Sequence, residues 1–151
     1  MKRNIFLFTG FGFLGLNLIR ILKKKFDIKI FGKKINFPFK VKLPKNKINF
    51  ITCNFLDIKK LHKYNFKNSN IILTTTNSNN RGFFDKYELL IKFLKNKSPN
   101  KIILISSVSI YGNEFPKKSL LNDYAKSCFK IEKICKKYIK NLIILRVSNI
   151  F

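Results

Sequence analysis

The stretch that most constrains this chain is Gly10-Phe11-Gly12-Phe13-Leu14-Gly15. It follows the apolar run Ile5-Phe6-Leu7-Phe8 and leads into Leu16-Asn17-Leu18-Ile19-Arg20-Ile21-Leu22. A buried strand, a glycine turn and a helix, in that order, form a cradle for the pyrophosphate of a dinucleotide. Gly10 permits the tight turn off the strand, and Gly12 lets the backbone approach the phosphates. Gly15 lets helix and strand pack closely. The first helical N–H groups then face the ligand, with the positive pole of the helix dipole behind them. The same region has a second reading. Met1-Lys2-Arg3 before mostly apolar residues has the charged and apolar parts of a secretory signal. No small-x-small cleavage site follows, however, and Arg20 and Lys23-Lys24-Lys25 arrive directly. The turn explains the three glycines and a signal does not.

At 151 residues the chain suits one domain, 1–151, with a real core. No run approaches the roughly 18 apolar residues of a membrane span, so no membrane partner is expected. Cys53, Cys128 and Cys135 form no CxxC pair. On one helix, Cys128 and Cys135 would stand ~10 Å apart along the axis, too far for a disulfide, which needs Cα atoms within about 7 Å. Reduced thiols in a cytoplasmic protein are expected. His62 is the single histidine, and no cluster has metal-ligand spacing, so no metal is expected.

The net charge of +25 raises the question of nucleic acid. Lys, Asn, Ile and Phe are all in excess, while Trp is absent and Gly and Pro are scarce. That is the imprint of an A+T-rich coding sequence. The lysines are spread over almost every segment, and no aromatic-basic signature of a reading module is present. Loose polyanion binding at low salt is expected. Specific nucleic-acid recognition is not.

Strand one is Ile5–Phe8, and the helix from Phe13 places Leu14, Leu18, Ile21 and Leu22 on one face. Asp27–Phe31 alternates as a second strand and stops at Gly32. The tip of that strand faces the adenine ribose in a dinucleotide fold, where an acid favours NAD and cations favour NADP. Lys33 and Lys34 stand there, so NADP is favoured over NAD. Residues 33–47, with Pro38 and Pro44, read as an irregular crossover. Lys47–Thr52 is a third strand, after which Asn54 and Asp57 open a short helix through Leu61. Asn70–Thr75 is a fourth strand ending in a polar run to Asn80, either crevice lining around Thr75 or a solvated loop. Phe83–Lys97 has helical spacing, Lys101–Ser107 is a fifth strand, Asp123 caps a helix to about Tyr138, and Leu142–Val147 is a sixth strand. Alternation of this kind predicts an α/β fold, a doubly wound parallel sheet with both faces covered.

Three further stretches line up with the glycine turn. They are Ser106-Ser107-Val108-Ser109-Ile110-Tyr111-Gly112, then Tyr124-Ala125-Lys126-Ser127-Cys128 with Glu132, then Arg146-Val147-Ser148-Asn149-Ile150-Phe151. In order and spacing the chain resembles the extended short-chain dehydrogenase/reductases, the NAD(P)-dependent nucleotide-sugar epimerase/dehydratase family. The resemblance implies a Rossmann-type NAD(P)-binding domain and hydride transfer on a nucleotide sugar or similar hydroxylated small-molecule substrate. By it, Gly10, Gly12, Phe13, Leu14 and Gly15 match the pyrophosphate turn, in a GxGxxG spacing one residue tighter than the family's commoner form. Asn54 matches an acidic residue that contacts adenine, Ser107 the Ser/Thr that hydrogen-bonds the reacting oxygen, and Tyr124 the general acid/base.

A tyrosine hydroxyl has an ordinary pKa near 10, so a catalytic tyrosine base needs positive charge beside it. The family uses a lysine four residues on, one turn away on the same face. Here that position holds Cys128; Lys126 projects to the other side and Lys130 is displaced. Val108 and Ser109 occupy positions that are acidic in the sugar dehydratases, so elimination chemistry is disfavoured. The chain ends at Phe151, where members of the family continue into a substrate-binding subdomain. A partner chain enclosing the substrate, or a truncated copy, is the expectation that follows. The rival functions are a non-catalytic dinucleotide-binding module and, more remotely, a basic nucleic-acid binder. The family also pairs its tyrosine-bearing helices into dimers. Leu120, Phe129, Ile131, Ile134 and Tyr138 fit such a homodimer interface or this domain's own core.

Overall fold

Alternation along the first strand sorts the whole molecule into layers. Phe6 and Phe8 point to one side of the sheet, and Ile5 and Leu7 to the other. The structure, a computed structural model, describes residues 4–8, 13–32, 48–74, 82–111 and 122–148. Its elements are β1 (Asn4–Phe8), α1 (Phe13–Leu22), β2 (Asp27–Gly32), β3 (Ile48–Thr52), α2 (Ile58–Leu61), β4 (Asn70–Thr74), α3 (Phe83–Asn96), β5 (Lys101–Ser107), a 3₁₀ turn (Val108–Tyr111), α4 (Asp123–Tyr138) and β6 (Leu142–Val147). All six strands pair in parallel, in the order β3-β2-β1-β4-β5-β6. This is the Rossmann-type, doubly wound arrangement expected from the alternation of strands and helices.

The phenylalanine side of the sheet carries α2, α3 and α4. Phe6 packs on Phe66 with ring centroids 4.5 Å apart, and Phe8 on Phe31 at 4.8 Å. Such aromatic pairs add about 0.5–1.5 kcal/mol each beyond the area they bury. From α3, Tyr87, Leu90, Ile91 and Leu94 enter this layer, and from α4, Ile131, Ile134 and Cys135. Helical spacing along each segment puts these residues on one stripe. Ile131 and Ile134 therefore lie in the chain's own core.

The aliphatic side carries α1. Leu14, Leu18 and Leu22 pack against this layer as the spacing predicts, and only Ile21 of the expected face turns away from it. Leu16 and Ile19 are buried with Gly15, Leu14, Leu18 and Leu22 are half-buried, and Ile21 is 69% exposed. Apolar side chains surround most of this helix, so periodicity alone does not select the arc that meets the sheet. The same face stays open over the last strand, where Ile143 and Leu145 are exposed.

The helix ends hold a second correction. Asn122, in extended backbone, is the N-cap of α4, its Oδ1 accepting the Ala125 N–H at 2.8 Å. Asp123 sits inside the first turn, where its charge favours the positive helix end and meets Lys126 at 3.5 Å. Lys47 and Thr75, expected as strand ends, lie outside the described residues.

Candidate dinucleotide and active site

A parallel sheet aligns its carboxyl ends along one edge, and this edge is where the candidate residues gather. From β1 the chain steps outward to β2 and β3, then returns to β4 beside β1 and steps the other way. In a doubly wound sheet such a reversal of strand order, here between β1 and β4, is the place where ligands are received. β1 ends at Phe8, in register with Leu73, the residue before the end of β4.

Gly10, Gly12, Lys33, Lys34 and Thr75 lie outside the described residues, as does the side chain of Phe13. The backbone of Phe13 begins α1, Leu14 is half-buried, and Gly15 is buried in the first turn of the helix. A buried glycine at that point lets the helix start close to the sheet.

Asn54 lies beyond the end of β3, next to Cys53, whose N–H donates to the Gly32 carbonyl at 2.8 Å. Its side-chain Oδ1 accepts the Leu56 N–H at 3.2 Å, and its carbonyl accepts the Asp57 N–H at 2.8 Å. The oxygen is thus used in the residue's own turn. The amide nitrogen of Asn54 can still donate to an acceptor on a base.

Ser107 is the last residue of β5 and is 7% exposed. Its Oγ donates to the Ser109 Oγ at 2.9 Å and accepts the Ser109 N–H at 3.1 Å. The hydroxyl is therefore fixed by the turn that follows it. α4 packs on this turn and on β5, and Tyr124 is in the first turn of α4, 37% exposed. Strand end and helix start are so brought to the same edge.

The lysine position does not recover its charge. Cys128, one turn after Tyr124, is fully buried as a free thiol. Lys126 turns to Asp123, and the Lys130 ammonium lies 4.1 Å from the centroid of the Phe84 ring. Neither ammonium stands in for a cation at position 128. A serine and a tyrosine hydroxyl can orient and exchange a proton with a ligand oxygen, yet α4 supplies no lysine one turn from the tyrosine.

A second cluster beside Ser107 was visible in the sequence only as motif letters. Glu132, 2% exposed, accepts two hydrogen bonds from Arg146, from Nε at 3.0 Å and Nη2 at 2.8 Å. The Arg146 Nη1 donates to the Tyr111 hydroxyl, and the guanidinium lies over the Tyr111 ring, 5.1 Å from its centroid. Burial alone would raise the Glu132 pKa, but the Arg146 hydrogen bonds, the Ser106 hydroxyl and the charges of Arg146 and Lys136 outweigh it and hold the carboxyl below its usual range. The signal that finds such a pair is scarcity. In a chain with seven acidic residues, one placed on the apolar stripe of a helix needs a cationic partner.

No group of His, Cys, Asp or Glu able to hold a metal occurs among the described residues. No helix among them is long and apolar enough to cross a membrane. No family model matches the sequence, and no curated protein does. Solved structures do match. The chain is similar to a wide-type short-chain dehydrogenase/reductase from Veillonella parvula in complex with NADP, with a TM-score of 0.72 at 18% identity over 97% of this chain and 69% of that one. It is similar to a UDP-glucuronic acid 4-epimerase from Bacillus cereus in complex with NAD, with a TM-score of 0.73 at 19% identity over 98% of this chain and 57% of that one. A UDP-N-acetylglucosamine 4-epimerase from Methanobrevibacter ruminantium, in complex with UDP-N-acetylmuramic acid, matches with a TM-score of 0.71 at 20% identity, over 97% of this chain and 55% of that one. The chain thus spans little more than half the length of the two epimerases. These likenesses establish the fold, a doubly wound parallel sheet of the Rossmann type.

Proposed function

We propose that this chain is an NAD(P)-binding domain of the extended short-chain dehydrogenase/reductase type. The observation that carries the reading is the reversal of strand order between β1 and β4, with the buried Gly15 at the start of α1 beside it. That is where a fold of this topology receives a dinucleotide. The α1 N–H groups would hold the pyrophosphate, the Asn54 amide would donate to adenine, and Lys33 and Lys34 favour NADP over NAD. Three free, buried cysteines are in keeping with a cytoplasmic protein.

The finer reading is an epimerase or reductase acting on a nucleotide sugar or similar hydroxylated substrate. A bound nicotinamide supplies hydride exchange. Ser107 would orient the substrate oxygen and Tyr124 would exchange its proton. The rival, a module that binds the dinucleotide without turnover, is favoured by the burial of Cys128 in place of the lysine. A homodimer through α4 draws less support, since Ile131 and Ile134 are core residues.

Calorimetric titration with NADP, NADPH, NAD and NADH at physiological salt tests binding. Preference for the phosphorylated pair supports the assignment of Lys33 and Lys34, and no binding to any of the four ends the proposal. Cys128→Lys then separates the rivals. Turnover of a nucleotide sugar gained by this substitution argues for a degenerate enzyme, and continued silence with a tightly bound cofactor argues for a binding module.

A further inference from the structure

We propose that the opposite edge of the sheet carries a separate site for a small ligand with clustered phosphate groups. A cavity of about 340 Å³ opens there, between the ends of α3 and α4 and the amino ends of β5 and β6. Five of its twelve lining residues are lysines, Lys95, Lys101, Lys136, Lys137 and Lys140, and none is acidic. In the sequence these lysines lie in two stretches some forty residues apart. Only the pairing of β5 with β6 and the packing of α3 on α4 bring them round one space.

The charges at this cavity are not balanced by the protein. Lys136 meets Glu132 and Lys137 meets Glu88, each at 3.8 Å with the lysine exposed, a geometry worth little in water. Lys95, Lys101 and Lys140 make no ion pair among the described residues. Two helices end here, each contributing a charge of about −0.5. Two carboxylates and two helix ends against five ammonium groups leave roughly two positive charges uncompensated. Ser98 and Asn141 add a hydroxyl and an amide donor to the lining, and the Asn100 amide, which donates one hydrogen bond to Asn70 Oδ1 at 2.9 Å, keeps a second N–H.

Size decides between ligand classes. The volume falls within the usual ~300–1,000 Å³ of small-molecule sites. A nucleic-acid backbone is tracked by an extended stripe of cations, whereas these surround one concavity. The site is also distinct from the proposed dinucleotide crevice, because β5 runs seven residues from Lys101 to Ser107, ~20 Å at the rise of a strand.

Inorganic triphosphate, titrated into the full chain at physiological salt, tests the proposal. Saturable binding is expected, weakened about 10-fold, or ~1.4 kcal/mol, in the variant Lys95→Gln/Lys101→Gln/Lys140→Gln. The control Lys23→Gln/Lys24→Gln/Lys25→Gln removes the same charge at the end of α1 and is expected to leave affinity unchanged. Backbone amide shifts of the unaltered protein supply a reading independent of variant folding, with Ser98, Asn100 and Asn141 expected to move. Absence of saturable binding, equal loss in both variants, or shifts confined to other residues would each overturn the site. An RNA duplex that displaces triphosphate through the same three lysines would overturn its assignment to a small ligand.

Discussion

Arg146 on β6 grips Glu132 on α4 with two parallel hydrogen bonds, at 3.0 and 2.8 Å, while its remaining nitrogen donates to Tyr111. The paired geometry is the strong form of an Arg–carboxylate contact. It joins the edge strand, the helix that carries Tyr124 and the turn that follows Ser107. A departure of β6 from the sheet would leave a buried carboxylate with only the Lys136 ammonium, 3.8 Å away. The pair therefore makes the position of α4 depend on β6, and with it the candidate proton-exchange residue.

The two partners are not equivalent when removed. Glu132 is almost wholly buried, whereas the Arg146 side chain is 31% exposed and can turn to water. Arg146→Ala is expected to cost about 3–5 kcal/mol, the range for a buried charge stripped of its partner. Glu132→Gln keeps the shape and an acceptor and is expected to cost about 2 kcal/mol. Urea unfolding at pH 7 measures both, and the reverse order would show that Glu132 is not the constrained member.

Acid should reveal the same pair. The Glu132 carboxyl is held below its ordinary value of 4.5 in the folded chain, so the unfolded chain takes up its proton first. The contribution is complete above about pH 4.5 and declines as pH falls toward the lower folded value. Stability of the native protein is expected to drop through this range, with a shallower slope in Glu132→Gln. Parallel slopes would assign the acid sensitivity to other carboxylates.

How much of this could be read from the sequence depends on the range of each interaction. Strand alternation at Phe6 and Phe8, and the helical stripe through Tyr87, Leu90 and Leu94, follow from local periodicity, and the layers follow from them. Ser107 at a strand end and Tyr124 at a helix start were legible from motif order. The outward turn of Ile21 on α1 was not, because a helix apolar on most sides offers several arcs. The cap of α4 shifted by one residue because Asn122 and Asp123 are both good capping residues, and only the asparagine adopts the extended backbone of an N-cap. The Glu132–Arg146 contact and the lysine-lined cavity join residues far apart in the chain, and no local pattern encodes them.

At high pH a different buried group is expected to act. Burial, with a smaller push from the Glu132 charge, raises the Cys135 thiol from 9.0 to about 12. The unfolded chain loses this proton first, so stability is full below about pH 9 and falls as pH rises toward 12. Three units correspond to at most about 4 kcal/mol. Cys135→Ala should begin lower, through lost packing, yet show a flatter decline between pH 9 and 10, where the thiol of the unfolded chain ionises ahead of its tyrosines. A curve parallel to the native protein's in that interval would remove Cys135 as the cause.

Ser98 follows the C-cap of α3 with φ +49°, in the left-handed region, and its N–H donates to the Lys95 carbonyl at 3.2 Å. A side chain there is strained, by about 1 kcal/mol relative to glycine. Ser98→Gly is expected to raise stability by up to about 1 kcal/mol, and Ser98→Val to lower it. Asn68, at φ +57°, should gain less from the same change, since asparagine tolerates this region. Thermal melting of the three variants gives the ranking.

The last two strands offer a comparison of one side chain in two environments. Leu104 on β5 is fully buried in the aromatic layer, and Leu145, the register partner of Ile105 on β6, is 48% exposed on the open face. Truncating a buried leucine removes its transfer energy and leaves a cavity, so Leu104→Ala is expected to cost about 2–5 kcal/mol. Leu145→Ala removes a group that already meets water and should stay within about 0.5 kcal/mol of the native protein. The comparison also tests the face itself. A loss at Leu145 approaching that at Leu104, growing with protein concentration, would mean that a second copy covers Ile143 and Leu145 in solution. A loss independent of concentration would mean that residues of the same chain do so.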